Sequence, residues 1–313
     1  MRRLLLALLV ASVYPSSAPG GVLFQESWDD ANIASRGWYD NTTVTISTAE
    51  HIPGSVASAQ YRWTAGATVP INGGAQRHKF SPTNSVYVSY WMKYSANYVG
   101  SGKPYHPHEF LILTNLNGDF DGPSFDYLTA YIEQNVRTIN GVSGGIPRLA
   151  IQDGQMIDQT KIGVNLIGVT ENRSVAGCNG SYSASGFSNV DCYVQTGVTY
   201  VNDTQWDASG AYFHDTNWHF VEAYFQLNSI VNGIGQPDGV LQYWVDGRIV
   251  IDHHNVYFRT GANPTMQFNQ FVIAPYIGDG SPVDQTFWVD NLTVATARTA
   301  TSTPAAPTGL VVR

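Results

Sequence analysis

The stretch from Trp218 to Asp252, WHFVEAYFQLNSIVNGIGQPDGVLQYWVDGRIVID, restricts the fold more than any other part of the 313-residue chain. It opens with strict alternation. Val221, Ala223, Phe225 and Leu227 point one way, and Phe220, Glu222, Tyr224, Gln226 and Asn228 point the other. A period of two with one apolar face predicts a half-buried strand. The polar run Asn232, Gly233, Gly235, Pro237, Asp238 and Gly239 then reverses the chain. Val240 to Val245 forms the return strand, and Asp246-Gly247 marks a two-residue hairpin into Arg248 to Asp252. Tyr224, Gln226, Gln242 and Trp244 occupy the second face, an aromatic-plus-amide surface on which a sugar polymer can lie. The plainer alternative is a sandwich strand whose aromatic residues are half-covered by loops.

Further strands follow from the same pattern at Val22–Trp28, Thr43–Ser47, Ala57–Trp63, Ser85–Tyr94, Glu109–Thr114, Leu128–Glu133, Arg148–Asp153, Tyr193–Val198, Phe271–Ala274 and Thr286–Val294. No segment between them sustains a helical period. Charged residues make up only 13% and aromatics 12%, as in an extracellular all-β protein rich in turns. The expected fold is a two-sheet antiparallel β-sandwich of jelly-roll type over residues 21–296.

At the N-terminus, Met1-Arg2-Arg3, LLLALLVA and PSSAPGG have the layout of a secretory signal peptide over residues 1–20. Its apolar run is too short to span a bilayer. The chain is therefore expected to be secreted, extracellular or periplasmic, and to act as a monomer without a membrane partner. A net charge of −8 argues against nucleic acid or anionic lipid as partner. The two cysteines, Cys178 and Cys192, are expected to pair in an oxidising compartment. Residues 297–313 read as a Pro/Thr/Ala-rich linker or tail whose last residues resemble the first strand of a fibronectin type III module. The N-x-S/T sequons at Asn41, Asn172, Asn179, Asn202 and Asn291 mark possible glycan acceptors.

The succession YFQLN, a Gly/Asn loop, PDGVLQYWVDG, VYFRT and FWVDNLTV resembles concanavalin A-like jelly rolls. Within that superfamily it is most similar to polysaccharide lyases of the alginate and glucuronan type. The shared N-x-x-G-x-x-DG-x-x-x-x-W-x-DG hairpin falls here on Asn228, a longer loop, Asp238-Gly239, Trp244 and Asp246-Gly247. The match covers about the last third of the chain, and its motif is mainly structural.

A lyase of this kind must neutralise a uronate carboxylate, abstract the C5 proton and protonate the leaving oxygen. The catalytic candidates are His108, Tyr131, Arg148, Gln152 and Tyr224, provided their strands are neighbours in one sheet. Substrate-binding candidates are His106, Trp91, Glu133, Glu222, Gln226 and Trp244. An acidic chain is an unusual match for a polyuronate, although its cations gather between Arg77 and Lys161.

Two other classes share the fold. A glycoside hydrolase would use Glu133 and Glu222 as carboxyls facing each other across a cleft. A binding or surface-structural module would use Trp91, Tyr224 and Trp244 as stacking platforms. His106-Pro107-His108 has the alternation of a metal pair but lacks an identifiable third ligand. By the resemblance, a structural Ca2+ would sit where the first and last strands meet, at Glu26 and Asp290. The competing reading is an ordinary strand-end turn. No organic cofactor is implied.

Overall fold

A computed structural model describes residues 21–103, 107–114, 128–139, 142–153, 182–183, 186–187, 205–212, 215–256, 258–259 and 264–298. In chain order its strands are β1 (Val22–Glu26), β2 (Trp38–Asp40), β3 (Thr45–Ser47), β4 (Ser58–Trp63), β5 (Gln76–Thr83), β6 (Ser85–Tyr94) and β7 (His108–Leu113). They continue with β8 (Leu128–Ile139), β9 (Val142–Asp153), β10 (Tyr182–Ser183), β11 (Gly186–Phe187), β12 (Gln205–Asp207) and β13 (His219–Gln226). The last are β14 (Ile230–Val231), β15 (Ile234–Gly235), β16 (Gly239–Val245), β17 (Arg248–Val256), β18 (Phe268–Tyr276) and β19 (Gln285–Ala295). Among the described residues a single 3-10 turn, Ile33–Arg36, interrupts them.

Two large antiparallel sheets form the sandwich. One, here sheet A, runs β17-β16-β13-β6-β19-β4-β3, with β1 added along the far half of β19. The other, sheet B, runs β12-β9-β8-β7-β18-β5-β2. Alternation sorts each strand's residues between a dry inner face and an outer face. From sheet A, Val86, Val88, Tyr90, Val221, Ala223, Phe225, Phe287 and Val289 are wholly buried in the same cluster as Phe110, Ile112, Ala130, Ile132, Leu149 and Phe271 of sheet B. Ring contacts cross the interior, Tyr90 to Phe110 at 4.4 Å and Phe110 to Phe287 at 6.5 Å.

A polar tie also spans the sheets. Glu109 is fully buried; Tyr94 Oη donates to its Oε1 at 2.9 Å, and the Gln134 backbone N–H donates to its Oε2 at 3.1 Å. Burial raises the Glu109 carboxyl well above the usual range, which favours its neutral form. A neutral acid can sit in an apolar interior where a carboxylate could not.

The conspicuous hairpin forms as its residues demand. Asp246 and Gly247 take φ of 50° and 78°, the paired positive values of a tight primed turn. Asn228 is a buried clip: its Oδ1 accepts from the backbone N–H groups of Phe258 and Arg259, both at 2.8 Å. Asp238 holds the other end of the loop through Ser229 N and Oγ, at 2.7 and 2.6 Å. At Gly239 the chain passes so close to β17 that a Cβ would lie 2.3 Å from the Val256 carbonyl oxygen.

Several boundaries differ from expectation. β1 stops at Glu26, and Trp28 turns off with a φ of 52°. The strands expected at 128–133 and 148–153 are the ends of one in-register hairpin, paired from Leu128↔Asp153 to Ile139↔Val142. β5, QRHKFSPT, had no alternating apolar pattern to announce it. The strand expected at 193–198 lies outside the described residues.

Gly239→Ala should lower stability by about 3 kcal/mol in thermal denaturation, because the added methyl meets backbone rather than a movable side chain.

Candidate functional site

On the outer face of sheet B the pairing register decides which side chains meet. Alternate residues of β8, namely Thr129, Tyr131, Glu133 and Asn135, point away from the core, because Leu128, Ala130 and Ile132 point into it. Glu133 lies directly opposite Arg148 on β9, and Arg148 lies opposite Asp207 on β12. Tyr131 sits beside Leu111 of β7.

His108 begins β7 and reaches across to this row. Its Nδ1–H donates to Glu133 Oε1, and its ring centre lies 4.9 Å from that of Tyr131. Asn135 Nδ2 donates to the other Glu133 oxygen at 3.4 Å. Arg148 grips Asp207 with two donors, at 2.6 and 3.1 Å. Although it faces outward, the row is shielded from water: Tyr131, Glu133 and Arg148 keep 6%, 4% and 8% of their exposure. Burial, with Glu133 nearby, pushes the Tyr131 hydroxyl well above its ordinary value, so it stays protonated. Burial works against the charge on Arg148, but the Asp207 carboxylate outweighs it and keeps the guanidinium charged. The arrangement can hold an imidazole in one tautomer beside a protonated phenol and a cation, a set suited to moving protons next to an anionic group.

Of the five residues grouped as catalytic candidates, His108, Tyr131 and Arg148 lie together, and Glu133, a substrate-binding candidate, lies among them. Gln152 shares β9 with Arg148 and pairs with Thr129. His106, Cys178 and Cys192 lie outside the described residues.

Tyr224 does not join them. β13 pairs with β6 and β16 in sheet A, so Tyr224, Gln226 and Glu222 face outward on the opposite side of the sandwich, with the core between. For the same reason Glu133 and Glu222 cannot flank one cleft, and the expected hydrolase pair is corrected on this point. Glu222 is instead a buried anchor. Arg298 donates to it twice, at 2.7 and 2.8 Å, Tyr87 Oη donates at 2.8 Å, and the guanidinium lies 4.5 Å from the Trp244 ring.

The expected stacking platform is likewise filled from within. Trp91 is 6% exposed against Phe220 and Ile52, and Trp244 is 7% exposed beneath Arg298. Tyr224 remains half-buried, its hydroxyl donating to Gln226 at 3.0 Å.

Glu26 and Asp290 do not converge either. Glu26 turns inward and accepts from Arg36 and from the Trp38 indole N–H, both at 2.9 Å. The last strand shifts register between Asp290 and Thr293, with Asn291 at a φ of 48°. Asp290 thus faces outward and accepts from Ile52 N and Ser55 Oγ at 3.1 and 3.2 Å. Among the described residues no group of three or more His, Cys, Asp or Glu side chains gathers as a metal site. Asp207 and Arg298 were not anticipated; a three-residue strand and a linker residue carry no periodicity to reveal them.

No family model matches the chain, and no curated protein matches it. Solved structures do. The alginate lyase Aly36B bound to an alginate trisaccharide is 13% identical, with a TM-score of 0.51 over 90% of this chain and 100% of that one. The marine PL-14 alginate lyase from Aplysia kurodai is 11% identical, with a TM-score of 0.53 over 88% and 99%. The alginate lyase vAL-1 from Chlorella virus is 11% identical, with a TM-score of 0.50 over 88% and 100%. By fold, then, the chain is a jelly-roll sandwich similar to alginate lyases.

Two outcomes follow from these placements. Arg298→Ala strands the Glu222 carboxylate and should cost about 2 kcal/mol in denaturant unfolding. Burial raises the Asp290 carboxyl to about 6, from 3.8. Its contribution to stability is therefore greatest below 3.8 and fades as pH rises through about 6. Relative to wild type, Asp290→Asn should gain stability as pH rises across that window, read from melting curves.

Proposed function

We propose that the protein is a polysaccharide lyase that cleaves a uronic-acid glycan by β-elimination on the outer face of sheet B. The observation that carries the reading is the His108–Glu133 contact with Tyr131 alongside and Arg148 in register. With Nδ1–H donated to Glu133, His108 presents Nε2 as the accepting nitrogen, the atom that takes the C5 proton. Glu133 holds the ring in that tautomer and stabilises the imidazolium that forms. Tyr131, kept protonated, delivers a proton to the departing glycosidic oxygen. Arg148 supplies the positive charge that lets the uronate carboxylate accept electron density as C5 loses its proton. Shielding from water strengthens each of these interactions.

The fold shared with alginate lyases supports this reading, since those proteins include one bound to an alginate trisaccharide. The chain's overall charge of −8 is also less contrary than it first looks. Arg77, Lys79, His108 and Arg148 all belong to sheet B, although Asp40, Glu133 and Asp207 partly offset them. Export and a Cys178–Cys192 bridge remain parts of the same proposal.

The test is to incubate the purified protein with a panel of polyuronates and follow the ultraviolet absorbance of the unsaturated uronate end. His108→Ala and Tyr131→Phe should each lower kcat by about 100-fold or more, while Tyr224→Phe should retain activity. New reducing ends without the unsaturated chromophore, or full activity in His108→Ala, would overturn the proposal.

A further inference from the structure

The same face of sheet B carries buried polar atoms that the lyase chemistry does not use. Gln270 of β18 is 0% exposed and its Nε2 has no hydrogen-bond acceptor; Thr129 of β8 is 1% exposed and its Oγ1 has no partner. Both pair with Leu113 of β7, from opposite sides, so they stand on one row across the sheet. Lys79 of β5 extends the row beyond Gln270.

Next to it, Arg77 is 6% exposed. It donates from Nη1 to Gln270 Oε1 at 3.4 Å and from Nε to Asp40 at 2.8 Å. The Gln270 amide is thereby fixed: its oxygen faces the guanidinium, and its NH2 is left as a donor.

A buried polar group without a partner costs about 1–3 kcal/mol, and interiors rarely keep two on one row without a use. What would satisfy these is an acceptor with negative charge, because the unpartnered amide is a donor and the neighbouring side chains are cationic. Thr129 can then donate to the same group or accept from an adjacent hydroxyl.

The row lies four residues along β8 from Glu133. That is about 13 Å, more than the length of one monosaccharide.

We propose that Gln270 and Thr129, with Arg77 and Lys79 beside them, form a distal subsite for the carboxylate of a second uronic-acid residue of the same glycan. The subsite makes recognition depend on chain length and on charge at a distance from the bond that breaks. It rests on the lyase reading for the location of that bond, but binding can be measured without cleavage.

The test uses alginate oligosaccharides of graded length, with neutral glucan oligosaccharides matched in length, titrated calorimetrically into wild type, Thr129→Val and Gln270→Glu. Longer acidic oligomers should bind wild type more tightly than short ones. Thr129→Val should weaken only the longer ones, by about fivefold, and Gln270→Glu by more than tenfold. Because the Thr129 hydroxyl has no partner to lose, Thr129→Val should melt at or above the wild-type temperature.

Unsaturated products are scored in parallel. Length-dependent binding that the variants abolish, in a protein that makes no such products, keeps the subsite and removes the lyase. Intact cleavage with unchanged length dependence in both variants overturns the subsite and leaves those atoms to ordered water. Equal weakening for short and long oligomers overturns it as well.

Discussion

The register of the β8–β9 hairpin is the constraint on which the proposed site depends. Its strands pair without slippage from Leu128↔Asp153 to Ile139↔Val142, and a slip of one residue would send Tyr131 and Glu133 into the core. The register sets Glu133 opposite Arg148, and the neighbouring strand β12 brings Asp207 to complete the row. β7 is held in phase by adjacent residues that act on opposite sides of it: His108 meets Glu133 on the outer face, while Glu109 is tied inward to Tyr94. The buried Glu109 on sheet B and Tyr94 on sheet A thus secure the strand that carries the candidate base.

The two outer faces of the sandwich are put to different uses. On sheet B, the donors and acceptors are arranged in rows, and some are left without partners. On sheet A, several of the polar and aromatic groups are consumed internally. Glu222, Trp244 and Tyr87 are gathered under Arg298, and Trp91 packs on Phe220. Trp91 and Trp244, the tryptophans expected as platforms on this face, are already covered and cannot stack a sugar.

Much of this was legible in the chain itself. Alternation in Val221–Phe225 and Val86–Met92 revealed strands and their inner faces, and Asp246-Gly247 revealed a turn, because both signals are local. His108, Tyr131, Glu133 and Arg148 could be named from residue type and spacing within single strands. Which strands become neighbours is a long-range property that no window of sequence encodes. Tyr224 was therefore grouped with residues of the other sheet, and Glu222 was given a catalytic partner across the core. Arg298, the group that claims Glu222, lies 76 residues further along the chain. The bulge near Asn291, which separates Asp290 from Glu26, is equally invisible to a period-of-two reading.

The central claim is that an acidic glycan binds over the outer face of sheet B. A crystal structure of the protein with a bound uronic-acid oligosaccharide tests it most directly. The account predicts a sugar ring against His108, Tyr131 and Glu133, with the chain running along β8 toward Thr129 and Gln270. An oligosaccharide lying instead across Tyr224 and Gln226 on sheet A would contradict it.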